Sequence, residues 1–174
     1  MTDNNHNELV FLQLIRDNKG ILYKISNSYC RNAGDREDLM QEMVYHLWQS
    51  GQRFDETKKF TTWMYRIALN VAISFYRKTN RSGITVALDA EAQFVDDSPN
   101  ELLEERIEVL QRFVRELNEL DKALMILYLE ERPYREIAEI LGISETNVAT
   151  KLNRIKGRLK QQFKTDRVSS GPNH

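Results

Sequence analysis

Residues 134–160 read YREIAEILGISETNVATKLNRIKGRLK, and the parsing of that stretch decides the fold. Ile137, Ala138 and Leu141 recur at i, i+1 and i+4, which places one apolar face on a short helix. Gly142 stops that helix, because glycine accepts the left-handed backbone at a helix C-terminus without a Cβ penalty. Ser144 then offers a hydroxyl to one of the orphaned N–H groups that open the next helix. In that second helix Val148, Leu152, Ile155, Leu159 and Phe163 fall on one stripe. Asn147, Thr150, Lys151, Arg154 and Arg158 fall on another. The first stripe docks the helix, and the second turns cations and short polar groups outward, as a helix entering a major groove requires. The stretch reads as a helix-turn-helix, with Ala138, Gly142, Ile143 and Val148 filling the angle between its helices. An ordinary helical hairpin with a solvated basic face is the alternative. Against it, residues 134–164 hold seven Lys/Arg and three Asp/Glu, and no acid lies beyond Glu145.

A chain of 174 residues suffices for one domain or two small ones. Its hydrophobic content of 41% is adequate for packed cores, yet it contains no apolar run long enough to span a bilayer. The polar start MTDNNHNE lacks the basic-then-apolar pattern of a signal peptide. A single cysteine, Cys30, leaves no internal disulfide and no cysteine zinc site, and Ile25 and Tyr29 near it suggest a buried thiol. His6, His46 and His174 make no metal spacing. A cytoplasmic protein without metal or cofactor is expected, with no stable membrane insertion.

The net charge of −1 hides a segregation. From Thr57 to Leu88 there are six basic residues (Lys58, Lys59, Arg66, Arg77, Lys78, Arg81) and no acid. From Asp89 to Asp121 eleven acids face three arginines, and the basic helix-turn-helix follows. Two basic blocks flanking an acidic one suggest two DNA-facing surfaces with a middle that stays off DNA.

Apolar spacing is helical nearly throughout, and glycine and proline are few, so the expected fold is all-α. A first helix runs Glu8–Asn18 with Leu9, Leu12, Ile15 and Phe11 inward, broken by Gly20. A second runs Ile21–Arg31 with Leu22, Ile25 and Tyr29 in line, ended by Gly34. Asp35 can cap a third that reaches about Ser50, with Met40, Val44, Leu47 and Trp48 as its apolar stripe, widened by Leu39 and Met43. Opposite them Asp38, Gln41, Glu42, Tyr45 and Gln49 form an acidic-polar stripe about 16 Å long at ~1.5 Å per residue. Periodicity alone leaves a solvated face and an interface equally open. Ser50–Lys59 has turn composition and reads as a loop. Phe60–Lys78 is a long helix in which Trp63, Ile67, Val71 and Phe75 are most simply core. The adjacent stripe of Thr62, Arg66, Asn70, Ile73 and Arg77 suits single-stranded nucleic acid, where unstacked bases lie on rings and are read on their edges; a plain basic helix with core aromatics is the alternative. Residues 79–100 read as an acidic linker. Leu102–Leu117 is helical with Leu103, Ile107, Leu110 and Val114 inward, and Leu120–Glu130 is helical up to Arg132-Pro133. Residues 164–174 are expected to be a disordered tail.

Both halves resemble one family, the sigma factors of bacterial RNA polymerase, and within it the small extracytoplasmic-function (ECF) group. REDLMQEMVYHLW (36–48) is similar to the family's D-x-x-Q-E-x-F/V segment, and FTTWMYRIALNVAISFYRK (60–78) to its F-x-x-W-L-Y-x-I-A-x-N-x-x-x-D-x-x-R segment. LNELDKALMILYLEERPYREIAEILGISETNVATKLNRIKGRL (117–159) is similar to the sigma-4 domain. The resemblance implies two small helical domains joined by a flexible acidic linker. Residues 1–78 would be a four-helix sigma-2-like domain, 79–100 the linker and 101–163 a sigma-4-like domain ending in the helix-turn-helix. It also implies roles. Asp38, Gln41, Glu42 and Tyr45 would bind the coiled coil of the polymerase's β-prime-type subunit. Arg53, Phe54, Lys59, Thr62, Trp63, Arg66, Asn70 and Arg77 would recognise and hold open the minus-ten element. Ser144, Asn147, Ala149, Thr150, Lys151, Asn153, Arg154, Lys156 and Arg158 would serve the minus-35 element. The implied partners are core RNA polymerase (beta and beta-prime-type subunits) and promoter DNA, with an anti-sigma factor as a third. No catalytic residue and no metal ligand are implied. Ser74 stands where the family often has Asp, and Ala149 where a long cation is common. Two rivals remain on composition: a stand-alone helix-turn-helix regulator, which leaves the acid-free aromatic helix unexplained, and a nucleic-acid enzyme, which would need clustered carboxylates in a basic cleft.

Overall fold

The computed structural model describes residues 2–81 and 101–169. Among them the chain is all-α: α1 Thr2–Asp17, α2 Lys19–Tyr29, α3 Ala33–Ser50, α4 Phe60–Arg81, α5 Glu101–Glu116, α6 Glu119–Leu129, α7 Tyr134–Leu141 and α8 Glu145–Ser169. A single 3-10 turn, Gly51–Arg53, follows α3. The chain divides into two compact units, residues 1–90 and 91–174. The boundary lies among residues 82–100, so most of the acidic segment read as a linker is outside the described residues.

In the first unit α2, α3 and α4 share one core. Leu22 and Ile25 meet Leu39, Met43 and Leu47 of α3 and Met64, Tyr65, Ala68, Leu69 and Ala72 of α4, all at 1% exposure or less. Each large aliphatic side chain so buried contributes roughly 1.5–3 kcal/mol. The expected α4 core row, Trp63, Ile67, Val71 and Phe75, is only half-buried. The adjacent row wins because alanine at 68 and 72 leaves room for the neighbouring helices to approach. Val44 and Trp48, placed inward by the α3 pattern, are exposed, and so are Leu9 and Leu12 of α1. Helix α1 is buried at Ile15, near its C-terminal end, with Phe11 half-buried. Cys30 is buried, as its neighbours suggested.

Asparagines, not glycines, punctuate this unit. The break between α1 and α2 comes at Asn18, whose side-chain amide donates to the Leu14 carbonyl at 2.8 Å. Gly20 lies inside α2 and Gly34 inside α3. The N-cap of α3 is Asn32 rather than Asp35. Its Oδ1 accepts the Asp35 N–H at 2.7 Å and its Nδ2 donates to the Asp35 carboxylate at 2.7 Å. That reciprocal pair satisfies an orphaned donor and sets an acid at the positive end of the helix. Asn118 and Asp121 repeat the device at the start of α6, with both bonds at 2.9 Å.

In the second unit α6 is the central element, buried at every residue from Asp121 to Leu127. Lys122 is 2% exposed, and its ammonium donates to the Arg115 carbonyl at 3.1 Å. A cation beneath the last turn of α5 complements the negative end of that helix. Helix α5 packs through Val109, Phe113 and Val114, with Leu117 buried just after it, while Leu103 and Ile107, expected inward, are 47% and 44% exposed. Only its C-terminal half meets the core. In α7, Ile140 is buried beside Ile137 and Ala138, and Leu141 is half-buried. Helix α4 extends to Arg81, past the expected end at 78, with the Thr79 hydroxyl donating to the Phe75 carbonyl at 3.0 Å. Helix α8 runs on to Ser169 through residues expected in a disordered tail, a stretch without glycine or proline. Residues 170–174 lie outside the described residues.

Replacing a side-chain N-cap by alanine costs about 0.5–2 kcal/mol. Asn118→Ala is therefore expected to destabilise the second unit by about 1 kcal/mol, seen as a lower urea midpoint at an unchanged slope. An unaltered midpoint would show that the Asn118–Asp121 pair does not hold the start of α6.

Candidate functional surfaces

Three surfaces follow from helix rotation. On α3 the buried row Leu39, Met43 and Leu47 fixes the helix about its axis and leaves Asp38, Gln41, Glu42, Tyr45 and Gln49 exposed. All four residues expected to meet the polymerase thus lie on solvent-facing α3. Tyr45 packs edge-on to His46 at 5.6 Å. Val44 and Trp48 flank that face rather than the core, and Trp48 donates its indole N–H to Glu8 at 3.3 Å.

The second surface joins the loop after α3 to α4. Arg53, Lys59, Arg66, Asn70 and Arg77 are exposed, whereas Phe54, Thr62 and Trp63 are half-buried. The two aromatic members are not splayed out. Phe54 and Trp63 pack on each other with centroids 5.0 Å apart, and Phe60 lies 5.5 Å from each. Phe11 of α1 closes the cluster, edge-on to Phe60 at 5.8 Å and to Trp63 at 5.5 Å. The loop itself is tied by Asp55, whose Oδ1 accepts the Thr57 hydroxyl at 2.7 Å and the Thr57 N–H at 3.0 Å. The hydroxyl first, and the N–H second, hold the Asp55 carboxyl below its ordinary range, with Lys58 lowering it further against a small opposing desolvation.

The third surface is the outward side of α8. Gly142 adopts φ 67°, ψ 34°, and the N–H groups of Gly142 and Ile143 both point to the Ala138 carbonyl, which closes α7. The Ser144 hydroxyl accepts the Asn147 N–H at 3.1 Å, so Ser144 caps α8 as its sequence position suggests. Val148, Leu152 and Ile155 are fully buried. Opposite them Asn147, Thr150, Asn153 and Arg154 are exposed, with Ala149 and Lys151 half-buried. Two of the cations expected on DNA also have neighbours in their own unit, Lys156 half-buried and Arg158 exposed. The Lys156 ammonium lies 5.0 Å over the Tyr128 ring. The Arg158 guanidinium lies 5.8 Å over Phe113 and 3.9 Å from the Asp121 carboxylate. At ~100° per residue these two sit ~160° apart, on opposite shoulders of the helix. Spacing along α8 cannot signal this, because their partners come from α5 and α6. Phe11 was expected inward but not in this ring cluster, and Asn32 and Asn118 were not expected as caps; the three-residue spacing to Asp35 and Asp121 could have flagged both.

No helix among the described residues is long and apolar enough to cross a membrane. The surfaces and fold define a two-unit helical protein with a helix-turn-helix and a second basic face on α4. Comparison with known proteins narrows the class. The family model Sigma-70 region 2 matches residues 14–82, and Sigma-70, region 4 matches residues 107–159. The ECF RNA polymerase sigma factor SigX of Bacillus subtilis is 31% identical over 143 residues, 76% of this chain and 73% of that protein. SigW of the same organism, also an ECF RNA polymerase sigma factor, is 26% identical over 166 residues, 88% of this chain and 89% of its own. The fold matches that of the sigma factor RpoE, solved with the anti-sigma factor NepR from Bartonella quintana, at TM-score 0.73 and 19% identity, covering 90% of this chain and 98% of that one. The chain belongs to the ECF group of the sigma-70 family. Its function is that of a promoter-recognition subunit of RNA polymerase.

The ionised form of Asp55 is the one the folded loop favours. Its stabilising effect is complete above the ordinary aspartate range and is lost as pH falls through the lowered value. Thr57→Val removes the larger of the two hydrogen bonds and is expected to raise the Asp55 titration midpoint toward that of an ordinary aspartate, followed by carboxyl chemical shift. A midpoint that stays put would assign the lowering to the N–H and Lys58 alone.

Proposed function

We propose that the two units divide the work of promoter recognition between them, with no catalysis by the chain itself. The first unit, residues 1–78, docks on core polymerase through Asp38, Gln41, Glu42 and Tyr45 and holds the opened minus-ten strand with the loop after α3 and the exposed side of α4. The second, residues 101–163, reads the minus-35 element as duplex. The carrying observation is that one unit exposes an acidic-polar face on α3 and a cationic face on α4. A stand-alone helix-turn-helix regulator has no use for that pair. Acids on α3 fit a basic protein partner and repel phosphate, and the α4 face offers Arg66, Asn70 and Arg77 to a single strand.

The mechanism uses binding free energy alone. Phosphate contacts position the second unit, and base-edge contacts from Asn147, Thr150 and Arg154 supply discrimination. Each stacked base captured by the first unit is worth about 1–3 kcal/mol, comparable to the cost of unstacking it, so strand opening is driven by capture. The reaction chemistry stays with the polymerase, and the protein works in the cytoplasm. The RpoE of Bartonella quintana is solved with an anti-sigma factor. A partner of that kind would control this chain by covering the exposed α3 face and the apolar residues beside it.

Two substitutions test the division. Glu42→Lys is expected to abolish co-elution with core polymerase lacking sigma while circular dichroism stays the same; co-elution at the original level removes α3 from the interface. Arg154→Ala is expected to weaken binding to minus-35 duplex by about 1–3 kcal/mol with little loss on scrambled duplex. An equal loss on both would make Arg154 a phosphate contact.

A further inference from the structure

The Phe11 ring rests against Gly51 so closely that a Cβ there would lie 2.5 Å from Cε1 and 2.7 Å from Cζ of the ring. Gly51 has φ −59° and ψ −34°, ordinary right-handed helical values that any residue adopts. Glycine at 51 is therefore required by the ring and not by the backbone. The same ring packs edge-on against Phe60 and Trp63, which in turn hold Phe54. Gly51 opens the segment 51–59, its carbonyl accepts the Phe54 N–H at 3.1 Å, and Phe60 and Trp63 begin α4. One side chain from α1 thus touches both ends of the loop that carries Arg53 and Phe54. The family match starts at residue 14, so Phe11 lies outside it.

We propose that Phe11 is a positioning residue for minus-ten recognition: wedged between Gly51 and the Phe60/Trp63 pair, it fixes the path of the loop and with it the aim of Arg53 and Phe54. The inference rests on the reading that this loop and α4 hold the minus-ten strand. Edge-to-face aromatic pairs add directional attraction beyond area burial, so four rings from three segments hold one arrangement better than aliphatic side chains would. A loop held in place before DNA arrives has less ordering to undergo on binding, and its selectivity for bases rises accordingly.

The test uses holoenzyme reconstituted from core polymerase and the full chain. It selects from fork-junction DNAs whose single-stranded arm carries randomised bases. The original holoenzyme should enrich a defined base pattern. Gly51→Ala pushes on the ring and is expected to form holoenzyme in the same yield but to bind the enriched DNA roughly tenfold more weakly, about 1.4 kcal/mol, with a flattened base preference. Phe11→Leu in the Gly51→Ala background removes the ring atoms that the new methyl meets, and because the positioning ring is gone it should leave the preference flattened. Should Gly51→Ala unfold the first unit, Phe11→Leu alone carries the test, with holoenzyme yield kept and preference lost. A Gly51→Ala or Phe11→Leu holoenzyme with the original base preference would overturn the proposal, as would a double variant that regains that preference without the ring. Absence of any base preference in the original holoenzyme would instead overturn the underlying minus-ten reading, and this inference with it.

Discussion

What every outward surface of this protein depends on is the rotation of a helix about its own axis, set by a short row of buried side chains. On α8 the row is Val148, Leu152 and Ile155, all at zero exposure. On α3 it is Leu39, Met43 and Leu47, also at zero. With ~3.6 residues per turn, such a row fixes which residues point away from it to within a fraction of a turn. Close-packed interiors make the setting stiff, because turning the helix would empty one side of the core and overfill the other. The outward residues need no mutual contacts to stay aligned. They inherit their alignment from the core behind them.

That dependence also explains which parts of the structure were legible in the sequence. The helix-turn-helix could be read because three independent signals coincide there: apolar period, Gly142 at the left-handed position and Ser144 at the cap. The α3 face was legible for a similar reason, since its polar period runs unbroken from Asp38 to Gln49. Where two apolar rows lie side by side, the pattern could not say which faces inward. On α4 the row of Met64, Ala68 and Ala72 is core while Trp63, Ile67, Val71 and Phe75 are half-buried. On α5 the apolar residues of the N-terminal half point to solvent because only the C-terminal half meets the core, and on α1 Leu9 and Leu12 lie off the face that Phe11 and Ile15 turn inward. Gly20 and Gly34 misled as breakers because a single glycine costs a helix only about 1 kcal/mol, and nearby asparagines offer side-chain bonds that end and start helices more decisively.

Local chemistry and global charge point the same way in the second unit. Asp121 and Lys122 are neighbours in sequence and both buried, which a composition argument would never place inside. Each is satisfied by a helix end, Asp121 by the Asn118 cap and Lys122 by the Arg115 carbonyl. Buried ionisable groups with such partners resist loss of either partner strongly, so the joint between α5 and α6 is fixed where hydrophobic contact alone would let it slide.

The neighbours that Lys156 and Arg158 have in their own unit bear on how the protein responds to salt. Each phosphate neutralised by a cation releases condensed counterions, and each steepens the fall of log affinity with log salt by ~0.9. Residues 134–164 contain seven Lys/Arg, but a cation already resting on Tyr128, or shared between Phe113 and Asp121, gives up an existing partner to reach the backbone. On the minus-35 reading proposed above, two cations kept by their own unit would make that slope shallower by up to ~1.8 than the count of seven gives. A count of cations along such a helix thus overstates the salt dependence it would bring to DNA.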